Sequence, residues 1–282
     1  MTGALEVGAK FSAIGLYSVV AAKPLESAAA QVVVYDTETR HLAPARAAEE
    51  VRRFIRASGT VRADFIYKKT DSTLRGNISA ELKAVSELFP NWRIGYAPAY
   101  PALGRTVKEG ILYVDGVAVS QTSFGGDPLN PVATSTISSM LGDQLDCVIF
   151  DGEHDSHLED AARTILADES MRIIAGPGAL AGIIAGQLVR ARTTPISLPR
   201  ISNCLVTNGS QHQRSADQVQ RAEAPGWTIL ETSHAPNAEP AQVASANARR
   251  LLEQIESRNP DAVFVIGGDT AFAVIAALGF PA

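Results

Sequence analysis

Among 282 residues there are two cysteines, three methionines and two tryptophans, and aromatic side chains make up only 6%. Cys147 and Cys204 stand far apart inside apolar stretches. They have neither metal-ligand spacing nor the number a disulfide framework needs, so a stapled secreted scaffold is excluded and a reducing cytoplasm is the expected compartment. An excess of cations is also missing: 25 Lys and Arg stand against 30 Asp and Glu, a formal net charge of −5. Without it there is no general electrostatic reason to bind nucleic acid or an anionic membrane, so any anion site must be local.

Long apolar runs are absent as well. The longest uncharged stretch, Ile173 to Val189, falls short of the ~20 residues of a spanning helix and is interrupted by Gly176-Pro177-Gly178. It is read as a buried strand, a turn and a helix. No basic segment followed by an apolar core opens the chain, so secretion finds no support. Several catalytic signatures are missing: no Gly-x-Ser-x-Gly elbow, no His-Glu-x-x-His, no Gly-x-x-x-x-Gly-Lys-Ser/Thr loop, and no Gly-x-Gly-x-x-Gly helix start of a dinucleotide oxidoreductase. His154, His157 and His212 fit no metal spacing and are read as solvated or capping residues.

What remains is a well-mixed globular composition, 46% hydrophobic and 20% charged, long enough for two domains. An amphipathic helix is predicted over Thr2 to Ile14, followed by alternating strands and helices. Strands are expected at Gln31–Tyr35, Phe65–Tyr67, Ile94–Ala97, Cys147–Phe150 and Arg172–Ala175, with helices at Ala45–Ala57, Ile78–Leu88 and His157–Ala167 among others. Asp115-Gly116 between two apolar runs predicts a tight hairpin inserted in the first domain. A Pro-containing linker is expected at Thr193 to Arg200. Beyond it the alternation restarts, with strands at Ile201–Thr207, Trp227–Glu231 and Asp261–Ile266. The fold class is therefore α/β, with two domains of mainly parallel sheet flanked by helices, over residues 1–195 and 196–282.

Chemistry concentrates in Tyr67 to Asn77, where two lysines, Asp71, Ser72, Thr73, Arg75 and Gly76 follow a strand. Cations and hydroxyls suit carboxylate or phosphate oxygens, and Gly76 permits close backbone approach. The same composition also suits a solvated surface turn. A second loop, Pro98 to Thr106, brings Arg105. In the second domain Asn208-Gly209-Ser210 and Gly267-Gly268-Asp269-Thr270 lie at strand ends before helices, where phosphates bind. An anionic small substrate with a phosphate-bearing cofactor points to phosphoryl transfer, for which Asp71, Asp127, Asp151 and Asp269 are the available carboxylates.

Lys68 to Asn77 (KKTDSTLRGN), Pro-Ala-Tyr-Pro with Gly-Arg-Thr at Pro98 to Thr106, and Asp-Pro-Leu-Asn-Pro-Val at Asp127 to Val132 resemble the four-carbon acid sugar kinase family. The resemblance continues through Ala175 to Ala181, Asn208 to Ser210 and Gly267 to Ala271. It implies an ATP- and Mg²⁺-dependent kinase acting on the terminal hydroxyl of threonate, erythronate or a 3-oxo-tetronate, with a possible homo-oligomeric state. In that picture Asp71 organises the reacting hydroxyl and Arg75 meets the substrate carboxylate. Ser72, Thr73 and Gly76 complete the acid site, with Lys69 and Arg105 as neighbours. Gly209, Ser210, Gly267, Gly268, Asp269 and Thr270 contact the nucleotide. The family's first strand ends in an acidic pair just before Thr-Gly-Ala, whereas this chain begins at Met1-Thr2-Gly3-Ala4, after those acids. It also ends before the family's closing Gly-rich segment. A shortened homologue or fragment that binds sugar acid or nucleotide without turnover is therefore the alternative expectation. An interaction role ranks behind it.

Overall fold

The computed structural model describes residues 2–25, 29–58, 63–188, 200–210, 213–222, 226–230, 232 and 239–279. The chain divides into two compact units, one over residues 3–194 and one over residues 195–282 together with the first two. The expected linker, apart from Arg200, lies outside the described residues, as do His212 and Glu231, the expected end of a strand.

The first unit runs α1 (Thr2–Ser12), β1 (Ser18–Ala21), β2 (Val32–Tyr35), α2 (Pro44–Ala57), β3 (Ile66–Lys69), α3 (Ile78–Leu88), β4 (Ile94–Tyr96), β5 (Arg105–Lys108), β6 (Ile111–Val114), β7 (Val117–Ala118), α4 (Ile137–Leu141), β8 (Cys147–Ile149), α5 (Asp155–Ala167), β9 (Ile173–Gly176) and α6 (Gly178–Leu188). A four-stranded parallel sheet has the order β3-β9-β4-β8, and β1 and β2 form a separate parallel pair. All four residues of β9 (Ile-Ile-Ala-Gly) and all three of β4 (Ile-Gly-Tyr) are buried. Continuous burial of this kind marks strands covered on both faces. Leu82, Ile94, Ile173, Leu180 and Ile184 are fully buried, each contributing about 1.5–3 kcal/mol relative to exposure. Pro44 opens α2 at a position where no amide donor is needed, and Ala47, Ala48, Val51 and Phe54 form its buried stripe.

Two expectations change. Ser18–Ala21, too short to register as a strand in the sequence, pairs with Val32–Tyr35. Arg105 does not lie in a loop; it opens β5, the first strand of an antiparallel sheet ordered β5-β6-β7. That sheet turns at Glu109-Gly110 (φ 52° and 70°) and Asp115-Gly116 (φ 50° and 81°), the left-handed pairs of primed hairpin turns. Asp151 accepts the amides of Glu109 (2.6 Å) and Gly110 (2.9 Å). Its carboxylate therefore holds a turn and is removed from the candidates for chemistry.

The second unit contains β10 (Cys204–Asn208), α7 (Gln213–Arg221), β11 (Trp227–Leu230), α8 (Pro240–Arg258), β12 (Ala262–Ile266) and α9 (Gly268–Ala277). Its parallel sheet, β11-β10-β12, buries a smaller core around Leu205, Ala248, Leu251 and Val274. No helix among the described residues is long and apolar enough to cross a membrane.

Candidate functional site

At the carboxyl end of β3 the chain leaves the sheet at Thr70, and the polar segment becomes a loop that wraps one carboxylate. Asp71 Oδ1 accepts the Thr73 amide (2.9 Å), the Thr73 hydroxyl and Arg75 Nε (3.3 Å). Its Oδ2 accepts Arg75 Nη2 (3.2 Å) and Arg40 Nη2 (2.6 Å). Burial works to raise the Asp71 carboxyl, but the Thr73 hydrogen bond together with Arg40 and Arg75 outweighs it and holds the group below its ordinary range. Asp71 is therefore an anion throughout the neutral range. Arg75 also reaches Asp127 Oδ2 (3.3 Å) and lies 5.0 Å over the Phe124 ring. Asp127 Oδ1 in turn accepts the amides of Leu129 and Asn130, which hold its carboxyl down.

The loop's backbone is bent to serve this geometry. Leu74 adopts φ 62° with its side chain buried, and Gly76 has φ 89°. A left-handed leucine costs about 1–2 kcal/mol, which burial of its side chain offsets. A Cβ on Gly76 would meet Arg40 Cγ at 3.4 Å. Asn77 follows and donates from Nδ2 to Thr39 O and Leu42 O, both at 2.9 Å. One turn into α3, the buried Glu81 binds Thr39 Oγ1 (2.5 Å) and Lys68 Nζ (2.5 Å). Residues 39–42 are thus latched to the Asp71 loop. Arg40, Thr39 and Glu81 were not singled out from sequence. The signal available was that Asp36-Thr37-Glu38-Thr39-Arg40 follows β2 as Thr70 to Asn77 follows β3.

Lys69 donates to Thr70 O (2.8 Å) and stands 3.8 Å from Glu6. Burial pulls its ammonium below the usual value, against the carboxylates of Glu6 and Asp71. Ser72 has no protein partner among the described residues. Arg105 closes back on Leu103 O and makes no described contact with Asp71. The structure therefore joins Asp71, Thr73, Arg75 and Gly76, and it leaves Arg105 outside that cluster. His154 and His157 lie with ring centroids 5.4 Å apart, and His157 Nδ1 accepts the Glu153 amide.

In the second unit the two predicted phosphate loops come together. The Gly209 amide donates to Ile266 O (2.7 Å). Gly267 has φ 111°, and a Cβ placed there would lie 3.1 Å from the Ser210 nitrogen. Gly268, Asp269 and Thr270 form the first turn of α9, whose free amides and dipole favour anions. A Cβ on Gly209 would lie 1.8 Å from the buried Thr270 Oγ1. The missing Cβ atoms thus let the turn at Asn208–Ser210 pack directly against the start of α9. No cluster of three His, Cys, Asp or Glu that could hold a metal occurs among the described residues. Mg²⁺ accompanying phosphates needs only one or two carboxylates, and Asp269 is the one in that turn. Gly209→Ala is expected to displace Thr270 and the first turn of α9, read as shifts of the amide signals of residues 266–270.

The family described as the sugar-binding N-terminal domain matches residues 1–146, more than half of the chain. A D-threonate kinase of Bordetella bronchiseptica is 43% identical over 117 residues, covering 40% of this chain and 28% of that protein. A D-threonate kinase of Salmonella typhimurium is 33% identical over 153 residues, 53% of this chain and 36% of that protein. The matches thus span about a third of those relatives' own length. Among solved structures, a Bordetella bronchiseptica protein of unknown function, described as a domain-swapped dimer with bound citrate, is 26% identical with a TM-score of 0.61. It covers 99% of this chain and 83% of its own. A Haemophilus influenzae protein at 16% identity gives a TM-score of 0.72, covering 99% of this chain and 87% of its own, and supports the same α/β fold. With kinases for threonate, erythronate and 3-oxo-tetronate among its relatives and the sugar-binding match over more than half its length, the chain belongs to the four-carbon acid sugar kinase family.

Proposed function

We propose that this chain serves an ATP- and Mg²⁺-dependent kinase that phosphorylates the terminal hydroxyl of a four-carbon sugar acid. Residues 1–195 supply the acid site, and residues 196–282 supply contacts to the nucleotide phosphates. The observation that carries the reading is the Asp71 cluster: a largely buried carboxylate held anionic by two guanidiniums and a hydroxyl on a strained loop at a strand's carboxyl end. Phosphoryl transfer with a loose transition state asks the protein for positioning and charge compensation more than for a strong base. A low-lying Asp71 suits orientation of a hydroxyl by hydrogen bonding. Ser72, Thr73, Arg75 and Gly76 shape the acid site around it, and Lys69 and Arg105 provide flanking positive charge. Bound citrate in the Bordetella relative supports a preference for carboxylate ligands. The domain-swapped dimer of that relative supports self-association, which light scattering checks.

The test is ADP release in the presence of D-threonate, D-erythronate and 3-oxo-tetronates. Acid-dependent release is expected, and Asp71→Asn is expected to lower it at least 100-fold. Calorimetric binding of the acid with no ADP formed would instead establish binding without turnover. No binding of any of these acids would overturn the reading.

A further inference from the structure

The cations around the Asp71 cluster are not equally free to meet a ligand. Arg75 spends one edge on both oxygens of Asp71, its remaining Nη1 on Asp127, and its face on Phe124. Lys68 is committed to Glu81 at 2.5 Å and to Lys69 O at 3.0 Å. Lys69 is committed to Thr70 O and faces Glu6. Arg40 differs: Nη2 alone is used, on Asp71 Oδ2 at 2.6 Å, and the side chain is 47% exposed. Among the described residues its Nε and Nη1 have no acceptor. A guanidinium offers five donors, so most of Arg40's capacity remains available.

Its backbone is nevertheless fixed. Asn77 holds the carbonyls of Thr39 and Leu42 on either side, Glu81 holds the Thr39 hydroxyl, and a Cβ added to Gly76 would meet the Arg40 side chain at 3.4 Å and its Cα at 3.7 Å. A cation with unused donors on a latched backbone loses little entropy on binding. Asp71, by anchoring one nitrogen, also aims the fork.

Resting on the sugar-acid reading above, we propose that Arg40 is the residue that recognises the carboxylate of the four-carbon acid and so sets selectivity for acids over neutral polyols. Arg75 acts as a positioning residue that fixes Asp71. This moves the carboxylate contact away from Arg75, which the family motif had suggested, to a side chain from the loop after β2. Asp71 then stands beside the substrate, with Arg75 on both of its oxygens and Arg40 on Oδ2.

Calorimetric titration with D-threonate, D-erythronate and the neutral polyol threitol tests the assignment. Arg40→Gln is expected to weaken both acids about 10–100-fold, the range for a lost hydrogen bond to a charged group, and to leave threitol within twofold. Arg40→Lys, which keeps charge but not the planar fork, is expected to fall between Arg40→Gln and the unsubstituted chain. Equal weakening of acids and threitol would show a structural role and overturn the proposal, as would unchanged acid affinity in Arg40→Gln. Failure of the unsubstituted chain to bind either acid would remove the sugar-acid reading and this assignment with it. Acid binding that is indifferent to Arg40 would remove this assignment alone.

Discussion

Asp71→Asn is expected to lower stability by about 2–3 kcal/mol at neutral pH, in addition to its effect on turnover. The carboxylate side chain is 9% exposed and takes hydrogen bonds from two guanidiniums and a hydroxyl. Bonds to charged groups are worth about 1.5–3 kcal/mol each, and the figure is discounted here because Arg40 is 47% and Arg75 27% exposed. The pH dependence carries a sign. Because the folded-state pKa lies below the unfolded one, the unfolded chain binds more protons between the two values, and stability rises with pH across that window. The contribution is complete above roughly pH 4, the ordinary aspartate value, and disappears as pH falls through the folded value. Urea unfolding from pH 3 to 7 should therefore show the two proteins converging at the acid end. A constant difference across that range would mean that the Asp71 charge is not what stabilises the loop.

Glu81→Ala is expected to cost about 3–5 kcal/mol, the penalty for leaving a buried charge without its partner. Glu81 is 5% exposed and bonds both Lys68 and Thr39. Its loss strands the Lys68 ammonium, whose side chain is 19% exposed, and frees the Thr39 hydroxyl, loosening the latch that fixes Arg40. Acid affinity should therefore fall together with stability. Replacing the pair as Lys68→Met/Glu81→Leu should recover most of the stability, since apolar residues of similar volume substitute well for a buried pair. It should not recover acid affinity, because Thr39 still lacks its acceptor. A double-mutant cycle by urea unfolding measures the coupling. A coupling near zero would show that the two charges act independently.

Much of this architecture was legible in the chain. The strand, loop, helix alternation could be read because β9 and β4 are continuous apolar runs and the α2 stripe keeps helical spacing. Asp-Gly at residues 115–116 announced its turn through the backbone conformation it requires. The strand at Ser18–Ala21 was not legible, because four residues carry no periodicity and its partner begins 14 positions later, Ser18 pairing with Val32.

The candidate site divided in the same way. Asp71, Thr73, Arg75 and Gly76 were visible because they share one short segment. Arg40 was not, since its approach to Asp71 depends on Asn77 and Glu81 drawing together segments 31 to 42 positions apart. Asp151 was misleading for a related reason: a carboxylate at a strand's carboxyl end resembles a ligand-binding group until the turn it caps is seen.

The central claim is that residues 3–194 bind a four-carbon sugar acid around Asp71, while the Gly209 and Gly267 loops bind nucleotide phosphates. Amide and arginine side-chain chemical shifts, followed during separate titrations with D-threonate and ATP, test it most directly. D-threonate is predicted to shift residues 37–42, 69–77 and 124–130 together with the Arg40 side chain, and ATP to shift 208–210 and 266–270. Shifts from D-threonate confined to other segments, or ATP acting on the Asp71 loop and not on the Gly209 and Gly267 loops, would contradict it.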